Sequence, residues 1–176
     1  MARQKVLVTT AGIGDWRTPV RVDDDLSRAA YEAHLCTRVV FEDGPTVHLK
    51  TRFVGIDDVT EDGAVPAGFG IVEAQDADGD WLRGRIDWFI EDGVDRGTYT
   101  FSSGTGKWKD VDGTVDVVLF ALPEDLEAEM PPRTPIRFYG FFEGEGELSV
   151  PNLAAPGDAA ISKPTWWTRE ARGVRA

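Results

Sequence analysis

Apolar and polar side chains alternate with a period of two along most of this chain, as in strands that bury one face. Val, Ile, Thr, Phe, Tyr and Trp dominate these runs, which predict eight strands near 4–10, 32–42, 46–57, 69–77, 81–91, 96–103, 113–122 and 136–149. Five Asp-Gly pairs punctuate the pattern, at Asp43-Gly44, Asp62-Gly63, Asp78-Gly79, Asp92-Gly93 and Asp112-Gly113. Asp tolerates the left-handed backbone region and Gly favours it, so each pair between apolar runs signals a hairpin. Helical spacing is confined to two short stretches, 25–31 and 123–130.

Each strand then has a predicted inner face. It carries Ala33, Leu35, Thr37, Val39 and Phe41 on the second strand, with His34, Cys36 and Arg38 opposite. On the third it carries Val47, Leu49, Thr51, Phe53 and Gly55, and on the fourth Phe69, Ile71 and Glu73. The fifth turns in Leu82, Gly84, Ile86, Trp88 and Ile90; then follow Tyr99 with Phe101, and Val115, Val117 and Leu119. Directly paired residues share a face, so loop length checks the assignment. A two-residue turn at Asp78-Gly79 pairs Ile71 with Ile86 and Glu73 with Gly84. One at Asp92-Gly93 pairs Tyr99 with Ile86, and a three-residue loop Asp43-Gly44-Pro45 sets Thr37 opposite Thr51. The expected fold is all-β: an eight-stranded antiparallel up-and-down β-barrel, with a short N-terminal helical segment and an extended C-terminal tail. A two-layer sandwich is the alternative, but closure removes exposed edges and sequential hairpins favour it. The domain reading is a single barrel over 1–150, then a Pro/Ala/Gly-rich linker and a basic Trp-containing tail over 151–176.

Composition narrows the function classes. The 176 residues are 41% hydrophobic with 19 glycines, within the globular range, and no run of apolar residues is long enough for a membrane helix. Cys36 is the single cysteine, which excludes a disulfide framework and fits a cytoplasmic protein. Nineteen Lys and Arg against 31 Asp and Glu give a net charge of −12, a surface that repels nucleic acid and anionic membrane. Residues 163–176 run against that trend at +3, leaving −15 on residues 1–162. That basic tail, with Trp166 and Trp167, reads either as a frayed terminus or as an arm anchored by its indoles. The arm would lie on its own barrel or on a neighbouring copy, so a homo-oligomer stays open.

The segment Gly97-Thr-Tyr-Thr-Phe-Ser-Ser-Gly-Thr-Gly-Lys-Trp-Lys-Asp-Val-Asp-Gly113 resembles the allene oxide cyclase-like and dirigent-like barrels, with Gly104, Gly106, Trp108 and Gly113 at the family positions. The resemblance spans roughly residues 30–122. It implies a barrel around an elongated apolar cavity. It also implies ring-forming catalysis on lipid- or polyketide-derived intermediates without metal or organic cofactor, including spirotetronate-type [4+2] cyclisation. The stretch 123–135 and the Trp166-Trp167 tail depart from the family pattern.

Familiar catalytic signatures are missing. Gly104-Thr-Gly-Lys107 lacks the first glycine and the final Ser/Thr of a phosphate loop, and there is neither a Gly-x-Ser-x-Gly elbow nor a His-Glu-x-x-His motif. His34 and His48 read as outward residues too far apart to share a metal. Interior polar groups carry the candidate chemistry. Glu73 among Phe69, Ile71 and Trp88 would have a raised pKa and act as general acid or base; the alternative is a wet Glu73 paired with an outward Arg. Tyr99 offers a hydroxyl inside an aromatic wall, or a packed core tyrosine. Glu73 and Tyr99 are the catalytic candidates. Thr37, Thr51, Phe53, Trp88, Phe101 and Val117 are the substrate-binding ones. Tyr139, Phe141 and Phe142 make the last strand apolar on both faces. The leading expectation is a cofactor-independent cyclase or isomerase of a hydrophobic intermediate that acts by shape restraint. A non-catalytic hydrophobic carrier and an interaction module with a filled core are the alternatives.

Overall fold

The structure is a computed structural model that describes residues 3–60, 65–120 and 136–153, side chains of 136 and 137 excepted. Nine strands are described: β1 (Gln4–Trp16), β2 (Val20–Asp23), β3 (Leu26–Phe41), β4 (Thr46–Thr60), β5 (Ala67–Gln75), β6 (Trp81–Glu91), β7 (Val94–Gly104), β8 (Asp112–Leu119) and β9 (Ile136–Ser149). Neighbours run β1-β9-β8-β7-β6-β5-β4-β3, and β1 also pairs with β3, closing an antiparallel eight-stranded barrel. The remaining strand, β2, follows β1 along the same edge of β3 once the chain passes Pro19. Closure, antiparallel pairing and the sequential hairpins are as the sequence predicts.

The expected helical segment at 25–31 is instead strand. Leu26-Ser-Arg-Ala-Ala-Tyr is built from fair helix formers, yet Ala29, Tyr31 and Ala33 alternate inward and are buried. Pairing of 26–40 with β4 supplies backbone partners that a single helical turn lacks, so tertiary context overrides propensity. The helical expectation for 123–130 and the tail from 154 onward lie outside the described residues.

The registers divide in the same way. The β6–β7 hairpin pairs Ile86 with Tyr99 and Gly84 with Phe101 as read from the Asp92-Gly93 turn. The β3–β4 hairpin has the expected three-residue parity, but its loop is Glu42-Asp43-Gly44, so Thr37 pairs with Leu49 and Leu35 with Thr51. At β5–β6 the parity is wrong. Asp76 Oδ1 accepts hydrogen bonds from the amides of Asp78 and Asp80, and the Asp76 amide closes on the Asp80 carbonyl, making the loop three residues long. One extra residue turns every side chain of β5 over. Val72 and Ala74 therefore enter the core, and Phe69 and Ile71 stand 44% and 53% exposed on the outer wall. There they continue across the sheet to Val54 and Ile56, and the Arg85 guanidinium covers the Phe69 ring.

One end of the barrel is plugged. After β7 the chain makes a 3-10 turn at Gly106–Trp108 that drops Trp108, fully buried, into the end of the core beside Phe41. Its indole N–H donates to Asp76 Oδ2 at 2.8 Å. The motif glycines serve this plug. A side chain on Gly104 would collide with Trp108, Gly106 has φ +50 against the Asp80 carboxylate, and Gly113 has φ +144 against β9. Exposed Tyr139 and half-buried Phe141 lie on the outer face of β9, where Phe141 packs on Phe120; Phe142 points in.

Candidate functional site

The interior is filled rather than hollow. Phe53, Tyr99, Phe101 and Phe142 meet across the lumen, with Tyr99 stacked on Phe101 at 5.9 Å and tilted against Phe53 at 5.7 Å. Beside them Thr51 donates to Thr37 at 2.8 Å, and Thr37 shares a 3.0 Å bond with Thr10. Among the described residues, the void lined by these side chains is about 20 Å³, room for little more than one water. This corrects the elongated apolar cavity that the family resemblance implies: aromatic rings and the Trp108 plug occupy that space.

The sequence-predicted site residues separate accordingly. Thr37, Thr51, Phe53 and Val117 are buried core residues, and Phe101 is half-buried against Tyr99. The Tyr99 hydroxyl is buried and closes no hydrogen bond. Desolvation, with Tyr31 adding to it and nearby Thr10 working against it, pushes its pKa well above the ordinary value. Glu73 is the clear correction. With β5 turned over it lies on the outer wall, where Arg83 Nε donates to it at 2.7 Å. The expected inward Glu73 beside Phe69 and Ile71 does not form. His34 and His48 are outward as read, and no group of three or more candidate metal ligands clusters among the described residues.

Only Trp88 belongs to a second constellation, at the barrel end opposite the plug. There β1 ends in Trp16, which pairs with Tyr31 of β3, which in turn pairs with Gly55 of β4. The next inward residue of β4 is Asp57, 5% exposed. The Trp16 indole reaches over β3 and donates to Asp57 Oδ2 at 2.7 Å, whereas Oδ1 is buried with no hydrogen-bond partner. Desolvation raises the Asp57 pKa from 3.8 to about 6; the Trp16 bond opposes the rise and the Asp58 charge adds to it. Trp88 Nε1 donates to the Tyr31 hydroxyl at 3.4 Å, and Phe138 packs on Trp16 at 4.6 Å and edge-on to Tyr31 at 6.3 Å. Desolvation and the neighbouring Asp57 charge raise the Tyr31 pKa, so the phenol stays protonated.

Glycines on β5 make this arrangement sterically feasible. A Cβ on Gly68 would lie 2.3 Å from Asp57 Oδ1, and one on Gly70 would lie 2.4 Å from the Tyr31 hydroxyl. Gly68 and Gly70 are two residues apart on one face. Carboxyl and phenol oxygens therefore lie beside successive inward positions of β5. An isolated carboxyl of near-neutral pKa can take or return a proton, and a protonated phenol can donate to an oxygen that gains charge. The predicted inner face of the strand at 46–57 ends at Gly55; one more step of the alternation reaches Asp57. The helical pattern expected over 25–31 hides Tyr31, and an expected first strand of 4–10 leaves Trp16 outside it.

Fold and site together define a closed antiparallel barrel with a packed lumen, one plugged end, and a carboxyl set among aromatic rings at the other. No family model, curated protein or solved structure matches this chain.

Proposed function

We propose that this protein is a cofactor-independent isomerase or cyclase of a hydrophobic, polyketide- or lipid-like molecule, working at the Asp57 end of the barrel. The observation that carries the reading is the buried Asp57 oxygen without a partner. Folding leaves a carboxylate desolvated there at a cost to stability, as sites kept for chemistry commonly do. In the step this supports, Asp57 removes a proton from carbon next to a substrate carbonyl. The C–H electron pair passes into an enolate, and Tyr31 donates a hydrogen bond to its oxygen. In a substrate with a β,γ double bond that enolate is a dienolate, and the carboxylic acid returns the proton to its γ-carbon, moving the double bond into conjugation, so no oxidant or co-reactant is consumed. Trp16, Trp88 and Phe138 supply an apolar surface for the rest of the molecule.

A second reading, a non-catalytic binder of a hydrophobic molecule, is favoured by the filled lumen, which leaves no enclosed chamber for folding a long chain. Incubation in D2O with a panel of hydrophobic enones, followed by mass spectrometry, separates the two. The catalytic reading expects deuterium in the recovered enone, lost in Asp57→Asn and reduced in Tyr31→Phe. Enone that binds but returns without deuterium supports carriage and overturns catalysis.

A further inference from the structure

We infer that the basic segment 163–176 docks into an acidic groove on the outer wall of its own barrel, at the plugged end and away from Asp57. The groove holds about 560 Å³ between the outer faces of β3, β1, β9 and β8. Its floor is apolar, with Leu7 58% exposed and paired to Val40. Its walls carry Glu42, Asp116, Glu145 and Glu147, with Lys5 the one cation in the lining among the described residues.

Elsewhere on the wall, carboxylates are matched by arginines: across strands Glu32 with Arg52, Glu73 with Arg83 and Asp58 with Arg28, and along β6 Asp87 with Arg85. Among the described residues Glu42, Glu145 and Glu147 have no ion pair, and Asp116 has only the Thr98 hydroxyl at 2.8 Å. Glu145 and Asp116 are direct cross-strand partners, an arrangement in which like charges repel. A cationic occupant would remove that repulsion.

The chain supplies one. Lys163, Arg169, Arg172 and Arg175 are offset only by Glu170, and Trp166 and Trp167 provide rings for the Leu7–Val40 floor. β9 delivers the chain to the same end: Leu148 pairs with Gln4, and Asn152 Nδ2 donates to the Lys109 carbonyl at 3.0 Å. Nine residues separate Leu153 from Lys163, ten Cα steps with a reach of up to about 35 Å, ample to enter the groove.

The test places a nitroxide on Thr168→Cys in a full-length Cys36→Ser background and reads amide broadening by NMR. Docking predicts strong broadening at Leu7, Val40, Glu145 and Glu147, with little at Ile71 on the opposite wall. The broadening should fall severalfold between about 0.05 M and about 0.5 M salt, where screening shortens to roughly 4 Å. It should fall likewise in Glu145→Gln/Glu147→Gln, both exposed positions that leave the core intact. Uniform or absent broadening overturns the proposal. So does broadening of an isotope-labelled, nitroxide-free copy mixed with unlabelled nitroxide protein, which would make the occupant a second chain.

Discussion

Trp16 and Asp57 meet over the top of an intervening strand: the indole N–H of β1 donates 2.7 Å to a carboxylate of β4, while the other carboxylate oxygen has no partner. One neutral donor is a weak substitute for the water that a carboxylate loses on burial. The pKa of about 6 follows from that imbalance. A group whose folded pKa lies above its unfolded value stabilises the fold fully at low pH, and that stability is lost as pH rises through the folded pKa.

Asp57→Asn should therefore stabilise the protein at pH 7.5 and do nothing of the kind at pH 4. A rise of the Asp57 pKa from 3.8 to about 6 corresponds to at most about 3 kcal/mol. Asn can keep the Trp16 bond through its amide oxygen. Urea denaturation across pH 4–7.5 checks this: the wild type should weaken between about pH 4 and pH 6, and the variant should be flat by comparison.

The Trp108 plug should behave as a core residue with a polar requirement. Trp108→Phe removes the donor to buried Asp76 and part of the ring volume. It should cost about 2–4 kcal/mol, read as a lower denaturation midpoint at unchanged slope.

Within the threonine chain, Thr37 sits between Thr51 and Thr10. Thr37→Val leaves the Thr10 and Thr51 hydroxyls without this partner and should cost about 1–3 kcal/mol, more than Thr51→Val, which leaves Thr37 its bond to Thr10. Thermal unfolding of the two variants side by side gives the order.

Glu73→Gln tests the correction to β5. An exposed pair with Arg83 contributes little, so stability should change by less than about 1 kcal/mol and ligand turnover should not change at all. Loss of turnover would return Glu73 to the site.

What the sequence makes legible follows from its turns. The Asp92-Gly93 hairpin is a two-residue turn with both φ values positive, so its chemistry states its length, and the Tyr99–Ile86 register follows. At Asp78-Gly79 the same dipeptide misleads, because Asp76 captures two amides of its own loop and adds a residue. Nothing in the apolar pattern warns of this. Gly-Phe-Gly-Ile-Val-Glu-Ala is apolar on both faces, and its large residues are the ones left outside. Asp57 was within reach of period-two counting, since β4 continues its alternation unbroken from Leu49 to Asp57. Its isolation was not, because that depends on Trp16 and Gly68 arriving from strands distant in sequence.

Carbon-detected NMR of the aspartate carboxyl signals through a pH titration addresses the site most directly, with Asp57→Asn to assign the resonance. The account predicts a single carboxyl with a midpoint near pH 6 that vanishes in the variant. A midpoint for Asp57 in the ordinary range below pH 4.5 would show the carboxylate solvated or paired, and the proton-transfer site would not exist.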